Sequence, residues 1–389
     1  MDNFDFYFPT YFVFGKGAEN DCGKLAKQYG GTRVLIHYGG QSAEKSGLLG
    51  RVRASLEKEG LTYVELGGVK PNPRDTLVYE GIDLCRKEKV DFVLAVGGGS
   101  VIDSSKMVAG GTVYDGDFWD FFTGKARASK GLPIGVILTL PAAGSEGTCG
   151  SMITKEDGLW KRPGGGPGLY PKFAIMNPEL TMTLPAYQTA AGITDIMAHI
   201  FERYFTNTED VGLTDRLAEA LLITLIEEAP KVIKDPNDYG ARANIMWAGT
   251  MAHNNLVGVG KSQDWNSHTI EHELSALYDC AHGAGLAVVM PAWMQHVMSH
   301  DVNRFVQLAT RVWGIPLDEA NPEKTAKEGI EAFKKFLVSI GMPVTLKDLG
   351  ANEEDIPRLI ELLRWSEDGV KGFVPLKTSD VEKIYELAK

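Results

Sequence analysis

The second half of the chain carries carboxylate and imidazole side chains at the spacing of metal ligands. Asp195 and His199 are four residues apart in GITDIMAH, and His268 and His272 repeat that spacing in SHTIEHEL. Positions i and i+4 share one face of a helix, so both side chains of a pair can reach one ion. His282 follows after a break and can approach from another direction. One carboxylate and three imidazoles, from Asp195, His199, His268 and His282, suit Fe²⁺ or Zn²⁺ and can leave a position for a substrate oxygen.

Spacing alone leaves alternatives open for these residues. Asp264 also precedes His268 by four residues, so spacing does not exclude Asp264 as a ligand. The run HTIEH from His268 to His272 matches H-x-x-E-H, a zinc metallopeptidase pattern in which Glu271 is the general base. That alternative accounts neither for the Asp195/His199 pair nor for the glycine-rich segment of the first half. The remaining histidines of this half are interpreted as core or surface residues: His253, His296 and His300.

A glycine-rich segment in the first half has the features of a phosphate site. A buried strand is predicted to run into Gly97, Gly98, Gly99 and Ser100 of VGGGSVIDSSK, where a helix begins. Glycines let the backbone approach a ligand, and a helix N-terminus presents unpaired N–H groups with a partial positive charge. Together these predict a pyrophosphate site that needs no basic side chain. The alternative is a tight turn with Ser100 as N-cap, and the segment is not the usual G-x-G-x-x-G.

A second glycine-containing segment, YGGQSAEKSG, lies one βαβ unit earlier. Gly39 and Gly40 follow a predicted strand, at the place where an adenosine ribose can lie. No acidic residue follows that strand directly, although such an acid would bind the ribose 2′-OH and repel a 2′-phosphate. With Ser42 and Lys45 nearby, this pattern favours NADP(H) over NAD(H). A plain turn remains the alternative.

The predicted elements differ between the two halves of the chain. In the first half, short apolar runs alternate with helical patterns, which implies βαβ units and a mostly parallel sheet. Its predicted strands are 33–37, 62–66, 92–96 and 134–140, and its predicted helices are 43–59, 76–88 and 101–109. The second half has helical periodicity in 215–228, 241–256, 267–277, 302–312 and 322–340. We therefore predict an α/β domain over 1–185 and an all-helical domain over 186–389, and a surface loop at 163–168.

Composition excludes several classes of function. The 389 residues carry a net charge of −11, which argues against nucleic acid or an anionic membrane as the main partner. No apolar run approaches the roughly 18 residues that span a bilayer, and the N-terminus lacks the basic region of a signal peptide. The four cysteines are far apart in the sequence, as expected for free thiols. A cytoplasmic enzyme is the prediction.

Several of these motifs, in one order, resemble the iron-containing (group III) alcohol dehydrogenases, especially the branch of NADPH-dependent aldehyde reductases and butanol dehydrogenases. The resemblance covers nearly the whole chain. It is carried by NFDFYFPTYFVFGKG, VGGGSVIDSSK, TLPAAGSE, NPELTMTLP, AAGITDIMAH and QDWNSHTIEHELSALYDCAHG. It implies a dehydroquinate synthase-like fold, with a dinucleotide-binding α/β domain, an all-helical domain and a site in the cleft between them.

The resemblance also implies roles for individual residues. It assigns metal ligation to Asp195, rather than Asp264, together with His199, His268 and His282, and it places His272 near the nicotinamide. His272 would relay a proton, or it would be a structural neighbour of the ligands. The implied cofactor contacts are Gly97, Gly98 and Ser100 at the pyrophosphate, Asp103 and Thr139 near the nicotinamide, and Gly39, Gly40 and Ser42 around the ribose. This chain departs from the family in having GGQS at 39–42 and an alanine at position 143.

The expected activity is hydride transfer between NAD(P)H and a small aldehyde or primary alcohol, assisted by one divalent metal. Trp265 and Trp293, close to the ligands in sequence, favour an apolar substrate, although tryptophans often belong to the core. A homodimer is expected. Dehydroquinate synthase and glycerol dehydrogenases are alternatives with the same fold, but a cyclase would need a basic cluster beside the histidines. A non-catalytic nucleotide-binding protein is a third alternative, which a complete metal set disfavours.

Overall fold

The chain divides into two units, and the computed structural model describes every residue from Met1 to Lys389. Tyr7–Thr183 form an α/β unit, and Leu184–Lys389 together with Met1–Phe6 form a helical unit. The first residues belong to the helical unit because the amino group of Met1 donates to the Glu209 carbonyl at 2.6 Å and Asp2 N donates to the Gly260 carbonyl at 2.9 Å. That return of the N-terminus was not anticipated from the sequence.

A six-stranded parallel sheet organises the α/β unit. Its strands are β1 (Tyr11–Phe14), β2 (Arg33–Tyr38), β3 (Thr62–Leu66), β4 (Phe92–Gly97), β5 (Ile134–Leu138) and β8 (Phe173–Met176), in the spatial order β1-β8-β5-β4-β2-β3. All five pairings are parallel. The central strands β4 and β5 are buried throughout, which explains why they are continuous apolar runs rather than alternating ones.

Six helices accompany this sheet: α1 (Cys22–Gln28), α2 (Ser42–Lys45), α3 (Leu48–Lys58), α4 (Asp75–Glu88), α5 (Gly99–Val113) and α6 (Asp120–Thr123). On one side of the sheet, Leu25 of α1 and Val52 of α3 belong to the same buried cluster as Val34, Phe92 and Ile137 of the strands. Parallel strands need such crossover connections. The predicted single helix over 43–59 is wrong, because Gly47, with φ +73°, separates α2 from α3.

A small antiparallel hairpin, β6 (Gly150–Lys155) and β7 (Trp160–Gly165), lies outside the main sheet. The predicted surface loop over 163–168 is therefore wrong in its first half, since Pro163 pairs with Met152 in this hairpin. Pro163 still follows the rule that proline avoids central strands, because a two-stranded hairpin has only edges. A 3₁₀ turn, Pro167–Leu169, occupies the second half of the predicted loop.

The helical unit contains ten α-helices around one core. They are α7 (Ala186–Tyr204), α8 (Gly212–Lys234), α9 (Tyr239–His253), α10 (Asn266–Tyr278), α11 (His282–Val297), α12 (Val302–Arg311), α13 (Pro322–Ser339), α14 (Leu346–Leu349), α15 (Ile356–Leu363) and α16 (Thr378–Leu387). The core includes Phe201 of α7, Leu222 of α8 and Trp293 of α11, each fully buried. None of the helices combines the length and apolar character needed to span a bilayer.

Candidate metal centre and nucleotide-binding segments

Three helices of the helical unit carry the side chains predicted to bind a metal. Asp195 and His199 lie one turn apart on α7, His268 lies on α10, and His282 is the first residue of α11. The i, i+4 spacing of the first pair thus places both on one face of a single helix, as the sequence predicted.

A close approach of two helices brings His282 to α7. A Cβ atom on Gly283 would overlap the carbonyl oxygen of Ala191, so only glycine allows this contact. Ala191 precedes Asp195 by one helical turn. The N-terminus of α11 is therefore held against the part of α7 that carries the carboxylate.

The Oδ1 atom of Asp195 is the common neighbour of the three imidazoles. It is 3.8 Å from His282 Nε2 and 3.9 Å from His268 Nε2, and the ligand atoms of these three residues all lie within 4.8 Å of one another. His199 Nδ1 lies 3.4 Å from the same oxygen but outside that mutually close trio. Ligands of a tetrahedral ion with bonds of about 2.1 Å are about 3.4 Å apart, so this spacing fits a single cation.

The donor atoms also have the environment that a metal ion requires. Asp195, His199 and His268 are almost fully buried, and neither His199 Nδ1 nor His268 Nε2 makes a hydrogen bond within the protein. Burial, followed by the charges of His253 and His268, lowers the pKa of His199 well below its usual range. A neutral imidazole is the form that binds metal. Because buried polar atoms almost always have a partner, these residues fit a divalent ion.

Asp264, the alternative carboxylate, is engaged elsewhere. Its oxygens accept hydrogen bonds from the backbone N of Asn266 at 2.7 Å and of Phe373 at 2.6 Å. Burial and the nearby carboxylate of Glu202 raise the pKa of Asp264 to about 8. The geometry therefore favours Asp195 over Asp264 as the ligand.

The H-x-x-E-H alternative is not supported by the position of Glu271. This side chain is fully buried, its Oε1 accepts from the Ser275 hydroxyl, and its Oε2 is hydrogen-bonded to Nδ1 of His282. Glu271, His272 and His282 do form a second group with ligand atoms within 4.8 Å of one another. With both oxygens engaged by the protein, however, Glu271 is not placed to activate a water molecule.

His272 lies beside the proposed ligands. Its ring centroid is 5.6 Å from that of His282 and 6.5 Å from that of His268, and the side chain is largely buried. This position is compatible with either role that the sequence left open, the proton relay or the structural neighbour.

Other residues near the candidate centre were missed in the sequence. His253, interpreted there as a core or surface residue, has its ring centroid 4.2 Å from that of His199. Arg203 donates to the His199 carbonyl at 2.8 Å, and its guanidinium lies 4.6 Å from the Trp265 ring. The sequence spacing could have indicated Glu202 and Arg203, because they follow His199 by three and four residues on α7 and so lie on the same face of the helix.

The two tryptophans that suggested an apolar substrate have different surroundings. Trp265 has φ +87°, a strained conformation for a bulky residue, and its ring centroid is 5.2 Å from that of His268. Trp293 is fully buried and packs against Phe205 and Phe373, so it belongs to the core and gives no information on the substrate.

In the α/β unit, the predicted nucleotide-binding segments lie at the carboxyl ends of three neighbouring strands. Gly39, Gly40 and Ser42 follow β2, Gly97 ends β4, and Thr139 follows β5, and these strands are adjacent in the sheet. Thr139 N donates to the Gly97 carbonyl at 3.1 Å. Ligands of open α/β sheets bind at this edge.

The glycine segment leads directly into α5. Gly98 is the N-cap, so Ser100 lies inside the first turn and is not the cap that the alternative interpretation required. A Cβ on Gly97 would overlap Val101, and on Gly98 it would lie only 3.1 Å from Leu140 Cβ. On Gly99 it would lie 3.1 Å from Ala143 Cβ. The three glycines are thus packed closely against protein side chains, and the start of α5 is where the sequence predicts the anionic group.

Asp103 has contacts that the sequence did not indicate. Its Oδ1 accepts from the Ser145 hydroxyl at 2.5 Å and its Oδ2 from Met152 N at 2.7 Å. Lys106, fully buried on the same helix, donates to the Ser145 carbonyl at 2.7 Å and the Gly150 carbonyl at 2.8 Å. Asp103 and Lys106 therefore hold residues 145–152, which follow β5, against α5. This structural role is separate from any contact of Asp103 with a cofactor.

Family models match both units of the chain. Residues 9–178 match the model described as iron-containing alcohol dehydrogenase, and residues 189–389 match the C-terminal model of the Fe-containing alcohol dehydrogenase family. Together the two matches cover nearly all of the chain.

Named relatives are similar over nearly their whole length. The chain is 41% identical to NADH-dependent butanol dehydrogenase A of Clostridium acetobutylicum, covering 99% of each protein. It is 38% identical to the NADPH-dependent aldehyde reductase YqhD of Escherichia coli, covering 100% of each. The crystal structure of NADH-dependent butanol dehydrogenase A from Thermotoga maritima is similar with a TM-score of 0.96 and 41% identity, over 100% of this chain and 99% of that one. The chain therefore belongs to the iron-containing alcohol dehydrogenase family, and it is an oxidoreductase of the alcohol dehydrogenase and aldehyde reductase type.

Proposed function

We propose that this protein reduces small apolar aldehydes to primary alcohols with NADPH, at a centre that contains one divalent metal, Fe²⁺ or Zn²⁺. The observation that carries the proposal is the convergence of Asp195, His268 and His282 in a buried part of the helical unit. His199, one turn from Asp195, completes the proposed ligand set.

The residues of the candidate centre would have two roles, metal binding and proton transfer. When bound, a divalent metal supplies Lewis acidity toward the substrate oxygen, and the reduced nicotinamide supplies the hydride. Asp195, His199, His268 and His282 would hold the metal, and the burial of the first three would limit the access of water. His272, beside two of these ligands, would hold the proton that the product oxygen receives.

The preference for NADPH is supported by the residues after β2. Gly39–Ser42 contain no acidic side chain to bind a ribose 2′-OH or to repel a 2′-phosphate. Named relatives include NADH-dependent and NADPH-dependent enzymes. We expect kcat/KM to be higher with NADPH, and Gly39→Asp to shift the ratio towards NADH by about tenfold or more, which corresponds to ~1.4 kcal/mol. A higher kcat/KM with NADH for the unaltered protein would show that the preference is wrong.

The apolar character of the substrate is supported by Trp265. Its ring lies beside His268 and under the guanidinium of Arg203. The part of the indole that Arg203 does not cover is apolar, and its one N–H group donates to the Gln263 side chain at 3.1 Å, which suits an aliphatic chain better than a polyol. A panel of aldehydes of increasing length and polarity, assayed with the same enzyme preparation, tests this selectivity.

The decisive experiment combines metal content and activity on one sample. Aldehyde-dependent NADPH oxidation is measured before chelation, after complete metal removal, and after return of Fe²⁺ or Zn²⁺. We expect activity to disappear and return with the metal, and His268→Ala and His282→Ala to retain no stoichiometric metal. Activity that survives complete metal removal would contradict the proposal.

We also propose that the protein is a cytoplasmic homodimer. Edge strand β1 and the residues before it expose Tyr7, Tyr11 and Phe14 to 69%, 54% and 42%. A second copy pairing its own β1 in the antiparallel direction would cover these rings and close a two-fold symmetric interface. Sedimentation should give a dimer, and Tyr11→Lys should shift it towards monomer. The four free thiols support a reducing compartment.

A further inference from the structure

Two buried carboxylates lie directly behind two of the proposed metal ligands. The first is Glu202 on α7, which is 1% exposed. Its Oε1 accepts from Nδ1 of His268 at 2.7 Å and from the backbone N of His268 at 3.0 Å, and its Oε2 accepts from Trp265 N at 2.7 Å. Because a carboxylate oxygen accepts, Nδ1 of His268 carries the proton and Nε2 is left with a lone pair on the side of Asp195.

The second carboxylate is Glu271 on α10, which is fully buried. Its Oε2 is hydrogen-bonded to Nδ1 of His282, so this ring too presents Nε2 towards Asp195. The Ser275 hydroxyl donates to the other oxygen, Oε1. Gly285 on α11 leaves the space for this carboxylate, since a Cβ there would overlap Glu271 Oε1.

We propose that Glu202 and Glu271 are positioning residues of the metal centre, each accepting a hydrogen bond from the Nδ1–H group of one imidazole and so holding its Nε2 atom towards the ion. The inference rests on the proposed function, because it takes His268 and His282 as metal ligands. A hydrogen bond from Nδ1–H to a carboxylate fixes the tautomer and the rotation of a ligand ring and makes the coordinating nitrogen more basic. Each carboxylate also connects two helices. Glu202 on α7 contacts His268 on α10, and Glu271 on α10 contacts His282 on α11.

This assignment gives Glu271 a different role from the one in the peptidase pattern. Within the run HTIEH, Glu271 points to the ligand on the next helix rather than to a substrate. Ser275, one turn further along α10, and Gly285, one turn into α11, then have roles of their own. They keep the carboxylate in place.

The test measures metal affinity rather than turnover of the loaded enzyme. The full chain is loaded with Co²⁺, its visible spectrum is recorded, and its dissociation constant is obtained by competition with a chelator. Glu202→Gln and Glu271→Gln should each weaken binding about 10- to 100-fold and alter the Co²⁺ spectrum. The alanine variants at both positions should bind more weakly still, because glutamine retains an acceptor oxygen.

A matched control is Glu219→Gln on α8. Glu219 is also buried in the helical unit, but its Oε1 accepts from the Tyr204 hydroxyl at 3.0 Å and contacts none of the proposed ligands. It should leave Co²⁺ affinity and spectrum unchanged. Should Glu271→Gln fail to fold, Ser275→Ala and Gly285→Ala test the contact between Glu271 and His282, and both should weaken binding.

The outcomes separate this inference from the proposed function. Retention of Co²⁺ by His268→Ala and His282→Ala would contradict the proposed ligands themselves. Loss of metal in those variants, with wild-type affinity and spectrum in Glu202→Gln and Glu271→Gln, would overturn the positioning role alone. Equal weakening in Glu219→Gln would also overturn it, since the effect would then reflect general loss of stability.

Discussion

His37 joins β2, which leads into Gly39 and Gly40, to α5, which begins within the glycine segment 97–99. Its Nε2 lies 2.8 Å from the Ser104 hydroxyl on α5, and its Nδ1 lies 2.8 Å from the Leu66 carbonyl at the end of β3. Both ring nitrogens are therefore used inside the protein. Burial lowers the pKa of His37 to about 4, although the Leu66 carbonyl opposes this shift. The ring is neutral in the folded state at pH 7.

This relationship predicts a stability loss in weak acid. Between pH 6.5 and 4 the unfolded chain takes up a proton at His37 and the folded chain does not, so stability falls as the pH decreases. The contribution is about 2 kcal/mol between pH 7 and pH 4.5. Urea unfolding of the wild type and of His37→Gln at the two pH values measures it. We expect the variant to be less stable at pH 7 but to lose less on acidification, and an equal loss in both proteins would contradict the assignment.

The glycine segment predicts a specific effect of one added methyl group. In Gly98→Ala the new Cβ would lie 3.1 Å from Leu140 Cβ, at the N-cap of α5 where we expect the pyrophosphate. We expect weaker NADPH binding, measured by calorimetry, with unchanged metal content. Gly50→Ala on α3 is the control, because its Cβ would meet no atom within 4 Å. Equal NADPH affinity in Gly98→Ala and wild type would argue against this cofactor site.

Substitutions at Asp103 and Ser145 can distinguish a direct contact of Asp103 with NADPH from an indirect effect on NADPH binding. The oxygens of Asp103 are already bonded to the Ser145 hydroxyl and Met152 N. If it acts through the segment after β5, Ser145→Ala should reproduce part of the weakened NADPH binding and lowered melting temperature of Asp103→Asn. If Ser145→Ala binds NADPH normally while Asp103→Asn does not, a direct cofactor contact is the better explanation.

Local patterns accounted for some elements and not for others. Strand β3 was predicted with its observed ends, and β2 and β4 each within one residue, because short runs rich in β-branched, aromatic and apolar residues and bounded by polar or glycine residues are distinctive. The strands β1 and β8 were missed because four-residue apolar runs do not distinguish a strand from a loop. Helix α11 was missed because it is buried on nearly every side, and a helix without a polar face has no 3.6-residue pattern.

In the candidate site, contacts within one helix were predictable from the sequence, and contacts between helices were not. Pairs such as Asp195 and His199 were recognisable because both residues lie on one helix, where spacing determines the face. The contact between Glu271 and His282 joins two helices, and it depends on the space at Gly285. No regular spacing encodes such a tertiary contact, so only the structure could assign it.

The position of His272 predicts how its two possible roles can be separated. As a proton relay, His272→Gln should lower kcat about 10²- to 10⁴-fold, while metal content and melting temperature stay near those of the wild type. The pH dependence of kcat should also lose one ionisation, and added imidazole should restore part of the rate. His300→Gln is the control, because this exposed ring bonds only to the Asn207 side chain oxygen, at 2.9 Å, away from the ligands. A variant that loses metal, or that keeps the wild-type pH profile, would mean that His272 supports the ligands structurally and moves no proton.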